Sequence, residues 1–165
     1  MISIDDTIHL SRPDQTDGER MWQLAKQTTL DNNSVYKYIM MTHYFVDTCV
    51  VAKYNQELVG FITAFIPPKQ PDTVFVWQIG VSQNHHGKGI GSCLLEELFN
   101  QVKTKGIKYL EATITPSNQA SQALFKKFAN HHKTNCNIQT FFTKDLFPDH
   151  DSYEEELKIK IGPIG

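Results

Sequence analysis

The sequence predicts a single-domain α/β fold: a mixed, mostly antiparallel sheet with one parallel βαβ unit at its centre. Three observations carry this prediction. The 165 residues amount to about one domain, with no repeat, low-complexity tract or long linker to divide residues 1–165. β-branched and aromatic runs cluster before residue 82 and return near the end of the chain. Between them, a strand pattern, a glycine-rich turn, a helical stripe and a second strand pattern follow one another over residues 73–114.

A short strand at residues 8–12 comes first and is stopped by Pro13. Asp17 offers an N-cap to a helix over residues 20–26, which the polar stretch 28–34 ends. Residues 36–45 read as a second short helix with Tyr36, Met40 and Tyr44 on one side. The period then changes. Residues 48–54 and 58–66 form an antiparallel hairpin around Asn55-Gln56-Glu57, closed off by Pro67, Pro68 and Pro71. TVFVWQIGV, residues 73–81, is a strong strand. After the turn Gly87-Lys88-Gly89-Ile90-Gly91, apolar Ile90, Leu94, Leu98 and Val102 recur every fourth residue down to a stop at Gly106. Residues 107–114 make the parallel strand, 118–128 an amphipathic helix with Leu124, Phe125 and Phe128 inward, and 137–143 and 154–161 the closing strands.

Composition removes several function classes. Hydrophobic residues make up 40% and charged residues 21%, an ordinary globular balance. The net charge is −2 and only Arg12 and Arg20 are arginines, a poor footprint for nucleic acid. The longest nearly apolar run, residues 58–66, is far short of the roughly 20 residues of a membrane span. Asp5 and Asp6 stand where a secretory leader carries positive charge, so a cytoplasmic protein is expected. Cys49, Cys93 and Cys136 are scattered and odd in number, which predicts buried thiols. The adjacent pairs His85-His86 and His131-His132 diverge on any regular element and have no ligand spacing around them, so no metal is expected.

The glycine turn is the chemically informative feature. Alternate glycines at a helix mouth admit a ligand to the backbone, and the free N–H groups of the first turn attract an anion such as a diphosphate. The same glycines could simply make a tight strand-to-helix turn. A Walker loop would need glycine at Ser82 and Ser or Thr at Gly89. A dinucleotide fingerprint would need glycine at Ser92, and too few strands follow for its doubly wound sheet.

VSQNHHGKGIGSCLLEEL, residues 81–98, resembles the acetyl-CoA motif of the GNAT N-acetyltransferase family, Gln/Arg-x-x-Gly-x-Gly/Ala, with His86, Gly89 and Gly91 at its fixed positions. The first of these departs from the pattern. A second family feature, N-x-x-A/S-x-x-L-F, matches Asn118, Ser121, Leu124 and Phe125. The resemblance implies the GNAT fold, acetyl-CoA as co-substrate and no metal. It places the pyrophosphate on the amides of Gly87, Lys88, Gly89, Ile90, Gly91 and Ser92, with His86, Asn118, Ser121 and Phe125 beside the cofactor. The thioester carbonyl would lie against backbone N–H groups at Ile79, Gly80 and Val81. Phe125 stands where many relatives have a tyrosine proposed to protonate the departing thiolate, which leaves that acid in question. Homodimers are common in the superfamily, and one is expected here.

Further segments, LDNNSVYKY (30–38), THYF (42–45), PPKQPDTVFVWQIGV (67–81) and LEATITPSNQAS (110–121), look like the diaminobutyrate acetyltransferase family of ectoine biosynthesis. That resemblance implies a small-molecule substrate, L-2,4-diaminobutyrate, acetylated on its 4-amino group. A short diamine carrying a carboxylate calls for acidic and aromatic groups in the pocket. Asp31 is the expected ammonium receptor, aided by Asn32, Ser34, Tyr36, Tyr38 and His43. Trp77 would supply a wall and a cation–π face, Glu111 the base or charge anchor, and Thr113 a neighbour facing the same way. Each has a structural alternative: Asp31 as a turn residue, Trp77 as core, Glu111 at a solvated sheet end, and His43 or Lys37 as part of a helix. Acetylation of a polyamine or aminoglycoside, or acyl-CoA binding without turnover, remain the alternatives for function.

Overall fold

The structure, a computed structural model, describes residues 8–149 and 152–165; Asp5 and Asp6 lie outside the described residues. In chain order the elements are β1 (Ile8–Ser11), α1 (Asp17–Lys26), α2 (Val35–Tyr44), β2 (Cys49–Tyr54), β3 (Glu57–Phe65), β4 (Thr73–Val81), α3 (Ile90–Val102), β5 (Tyr109–Ile114), α4 (Gln119–His131), β6 (Cys136–Phe142) and β7 (Glu156–Ile161). The seven strands form one sheet in the order β1-β2-β3-β4-β5-β7-β6. Every neighbouring pair is antiparallel except β4 and β5. Among the described residues no helix is long and apolar enough to cross a membrane.

Period-2 alternation in the strands sends side chains to two cores. On one face Val50, Ile62, Val74, Val76, Leu110 and Ile159 pack under α3 and α4. On the other, Val51 and Phe61 meet Met21, Leu24 and Tyr38 from α1 and α2. The four-residue stripe Ile90, Leu94, Leu98 and Val102 is buried as the sequence predicts, and each such side chain is worth about 1.5–3 kcal/mol of burial. The β2–β3 hairpin closes on Asn55 and Gln56, whose φ angles of 48° and 70° give the left-handed turn that matches strand twist.

Three expectations are corrected. Asp17 is not the cap of α1. Thr16 holds that position, and the Asp14 carboxylate accepts from the backbone N–H groups of Thr16 (2.8 Å) and Asp17 (3.2 Å). Asp17 is instead 1% exposed and ion-paired with Lys53 of β2 at 2.9 Å. Cys49 and Cys93 are buried, but Cys136 is only half-buried. The helix predicted to end at Phe128 continues to His131.

The site is set by two irregularities in β4. Val76 pairs with Ala64 and Gln78 with Thr63, so Trp77 is an extra residue between them, a β-bulge. The bulge inverts the alternation: Val74 and Val76 face the α3/α4 core before it, Ile79 and Val81 after it. The parallel register with β5 runs from Thr73↔Tyr109 to Val76↔Ala112 and goes no further. Past that point β4 and β5 diverge, and the β4 edge that would have paired with β5 is left open.

Candidate active site

Where β4 and β5 part, a cleft of about 220 Å³ opens. Trp77, Gln78 and Ile79 line it from β4, Ala112, Thr113 and Ile114 from β5, Leu30 and Asp31 from the α1–α2 loop, Ser121 and Phe125 from α4, and Glu156 from β7. A second groove of about 260 Å³ adjoins it, lined by Ile79, Gly80, Val81, His86, Gly91, Asn118, Ser121 and Leu124. The two share Thr29, Leu30, Ile79, Asn118 and Ser121 and therefore form one continuous channel.

The groove has the polarity an anion needs. Gly87 and Gly89 adopt φ of 81° and 75°, and Gly89 is the N-cap of α3 with no side chain to cap it. The first helical bond runs from Cys93 N to Gly89 O at 3.0 Å, so the amides of Ile90, Gly91 and Ser92 have no intrahelical partner. No acidic residue occupies the first turn to compete for them. The His86 ring folds back so that Nε2 donates to Val81 O at 3.2 Å, closing the loop onto the strand end. Ser82 N bonds to Val59 O on the β3 side at 2.8 Å. Alternation from Ser82 directs the backbone of Gly80 toward β3 and that of Ile79 and Val81 toward the open edge. Asn118 caps α4, its Oδ1 accepting from Ser121 N at 3.1 Å.

The cleft end is acidic. Burial holds the Glu156 carboxyl above the ordinary carboxylate range; the Asp31 carboxylate adds to the shift and a hydrogen bond from Thr113 opposes it. Glu154 fixes this strand entrance, accepting from Ser117 N at 3.2 Å and Ser117 Oγ at 2.5 Å. Lys37 stacks over the Trp77 ring, and burial lowers its ammonium to about 7, with Asp31 opposing.

Of the residues singled out in the sequence, the cleft and groove bring together Asp31, Trp77, Ile79, Gly80, Val81, Thr113, His86, Gly91, Asn118, Ser121 and Phe125. Others sit elsewhere. Ser34 caps α2, accepting from Lys37 N at 3.4 Å. Tyr38 is buried between α2 and the sheet, Tyr36 is 64% exposed, and His43 Nδ1 meets Gln15 Nε2 at 2.8 Å. Asn32 is exposed beside Asp31. Glu111 is in register with Phe75 rather than Trp77, is 5% exposed, and does not line the cleft. Among the cleft-lining residues not singled out in the sequence, Glu156 is the charged one, and its only sequence signal is its place near the head of a closing strand. Outside the channel, Glu96, His131 and His132 bring three ligand atoms within 4.8 Å of one another, contrary to the divergence expected of adjacent histidines. His132 is hydrogen-bonded to Glu96 at 2.9 Å.

A splayed parallel pair, a bulge, and uncapped helix amides beside the open strand edge define an acyl-CoA-dependent transferase site. Residues 18–129 match the acetyltransferase (GNAT) family, and the chain belongs to that family. Within it the chain is 57% identical to an L-2,4-diaminobutyric acid acetyltransferase from Marinococcus halophilus, over 96% of this chain and 92% of that one. It is 56% identical to one from Shouchella clausii, over 94% and 86%. A diaminobutyrate acetyltransferase from Paenibacillus lautus, solved with L-2,4-diaminobutyric acid and coenzyme A, superposes with a TM-score of 0.91 at 37% identity, covering 98% of this chain and 96% of that one.

Proposed function

We propose that the chain transfers acetyl from acetyl-CoA to the 4-amino group of L-2,4-diaminobutyrate, the step that the sequence resemblance assigns to ectoine biosynthesis. The observation that carries this reading is the meeting of the two halves of the channel at the β4–β5 divergence: an anion cradle and open strand edge on one side, two carboxylates and an indole on the other. The similarity to diaminobutyrate acetyltransferases over nearly the whole chain supports the substrate.

The uncapped amides of Ile90, Gly91 and Ser92 fit a diphosphate, and the open edge at Ile79 and Val81 fits the arm that reaches from it. Acetyl-CoA supplies an acyl group activated as a thioester. Asp31 and Glu156 hold the two ammonium groups of the diamine, with Trp77 as the wall. Glu156, its proton affinity already raised, accepts the proton from the attacking amine. The Ile79 or Val81 N–H donates to the oxygen that gains charge as the C–N bond forms. The C–S bond then breaks, and because Phe125 has no proton to give, the thiolate is protonated by solvent in the open cleft. Glu111, on the same face of β5 as Thr113 but buried and outside the cleft lining, leaves the base role to Glu156.

Phe125 is the one feature that favours the alternative, an acyl-CoA-binding module without turnover. Following CoA release with diaminobutyrate, ornithine, lysine and spermidine separates the readings. Turnover fastest with diaminobutyrate, and product acetylated at N4 by NMR, is the expected result; no turnover with any amine sinks the enzyme reading. The proposed site of action is the cytoplasm. The chain acts as a homodimer, for which the exposed Ile138, Phe141 and Phe142 on edge strand β6 offer an apolar face. Light scattering at a mass of one chain would remove the dimer.

A further inference from the structure

The cluster outside the channel brings the donor set of a metal centre together from two helices. Glu96 projects from α3, His131 is the last residue of α4 and His132 is its C-cap. Adjacent histidines diverge inside a helix, but the helix stops here. His132 has left regular helical geometry, with φ −88° and ψ 2°, and the two rings meet edge-on with centres 5.2 Å apart. Packing against Phe128 and Phe99, with ring centres 4.4 and 5.5 Å away, holds the half-buried His132 ring. Its Nε2 is thereby aimed at both Glu96 oxygens, at 2.9 and 3.0 Å. His131 is exposed and makes no hydrogen bond among the described residues. A ring nitrogen of His131 nonetheless lies within 4.8 Å of the other two donor atoms. A cavity of about 40 Å³ between Ser92, Glu96, Lys127, Phe128 and His131 borders the cluster and has room for water.

We propose that Glu96, His131 and His132 bind a late first-row divalent cation, with zinc as the type, which clasps α3 to the end of α4. Two imidazoles and one carboxylate suit zinc, nickel or copper, whereas magnesium and calcium take oxygen donors. The distances are close to what such an ion needs. Two donors at 2.0–2.2 Å from one tetrahedral ion stand about 3.3–3.5 Å apart. The Glu96–His132 pair therefore opens by a few tenths of an ångström, and His131, an exposed side chain free to change rotamer, closes by at most about 1.4 Å. The cation takes the place of the proton that His132 Nε2 shares with Glu96, so the ring binds in its neutral form. Water from the neighbouring cavity completes the coordination. Lys127, one helical turn before His131, is the opposing charge; it is exposed, and its long stem carries the ammonium out to solvent. None of the three ligands lines the cleft or the groove, so the ion takes no part in acyl transfer. The inference stands apart from the diaminobutyrate reading.

Calorimetric titration of the full chain, carrying no affinity tag, with zinc chloride tests the site. The expected result is one ion per chain with a Kd in the micromolar range. Glu96→Gln and His131→Gln should each weaken binding by about 10-fold or more, the least that loss of a ligand should cost. Cys136→Ser, which removes the one half-buried thiol, should bind zinc as the unaltered chain does. With free zinc at about 100 times Kd, Tm of the unaltered chain should rise by roughly 5–10 °C, and that of His131→Gln by much less. Binding no tighter than millimolar would overturn the assignment and leave Glu96 and His132 as a plain ion pair. So would unchanged affinity in either ligand variant, or a loss produced by Cys136→Ser. Should Glu96→Gln fail to fold, His131→Gln, altered at an exposed side chain, decides alone.

Discussion

The Tyr38 hydroxyl donates to Gln78 Oε1 at 2.8 Å, joining the buried face of α2 to the residue that follows the bulge in β4. Both partners are buried, Tyr38 completely and Gln78 to 6% exposure. Burial raises the Tyr38 pKa, so the hydroxyl keeps the proton it donates. The bond fixes the side of the strand on which Trp77 must emerge.

Tyr38→Phe should therefore cost about 1–3 kcal/mol, because it leaves a buried acceptor with no donor. In a chain of this size that corresponds to a fall in Tm of roughly 2–4 °C per kcal/mol. Adding Gln78→Leu should recover part of the loss, since both ends of the bond are then apolar. Thermal unfolding of the two single variants and the double variant measures the coupling; strictly additive losses would mean the bond contributes nothing of its own.

Glu156→Gln should lower kcat by roughly 10²–10⁴-fold, the range of a lost general base, while leaving acetyl-CoA affinity intact. The pH dependence has a definite sign. Glu156 acts as a carboxylate and its pKa is raised, so kcat/KM should fall as pH drops through that raised value. Asp31→Asn removes a like charge, lowers the Glu156 pKa and should move the acid limb to lower pH, in addition to weakening diamine binding. Glu111→Gln should change kcat less than Glu156→Gln. The reverse ranking would return the base role to Glu111.

How much of this was legible in the sequence follows from the range of the interactions involved. The βαβ unit was readable because its signals are local: an alternating strand, two glycines and a stripe repeating every fourth residue. The role of Asp17 was not, because its partner Lys53 lies on another element, and a buried acid next to a helix start reads the same as a cap. The bulge at Trp77 depends on how Thr63 and Ala64 pair across the hairpin, which single-strand periodicity does not contain, so the side chains that share the cleft with Trp77 are not legible from the strands one at a time. Glu156 reaches the cleft only because β7 inserts between β5 and β6, a topological choice that its local sequence does not record.

Asp17 gives a stability prediction separate from catalysis. Lys53→Met leaves a carboxylate that is 1% exposed, with the Asp14 N–H donating to one oxygen at 2.9 Å and Arg20, at 3.8 Å, as its remaining charged neighbour. Loss of one partner of a buried pair costs about 3–5 kcal/mol, and partial exposure of Lys53 argues for the lower end. Asp17→Asn in the Lys53→Met background should restore part of it by removing the stranded charge. Denaturant unfolding should give the order native, double variant, Lys53→Met, with an unchanged m-value; a double variant no more stable than Lys53→Met would show that the stranded charge was not the cause.

The cofactor cradle makes the last prediction, because backbone and side chain can be told apart there. If backbone amides of the α3 mouth hold the diphosphate, the conformation of Gly89 matters more than the charge of Lys88. Gly89 has φ of 75°, a region where a Cβ costs about 1–2 kcal/mol, so Gly89→Ala should shift the loop, misdirect the amides of Ile90 to Ser92 and weaken CoA binding by about tenfold, near the 1.4 kcal/mol that tenfold represents. Lys88 is exposed and its Nζ lies 5.5 Å from the Tyr54 ring centre, so Lys88→Ala should weaken binding less and mainly flatten its salt dependence. His86→Gln, which restores the residue of the family motif, should keep a donor for Val81 O and bind CoA at least as well, whereas His86→Ala should not. Calorimetric titration with CoA ranks the four variants. If Lys88→Ala proves the most damaging, the cradle is carried by the side chain and the reading of the glycine turn is wrong.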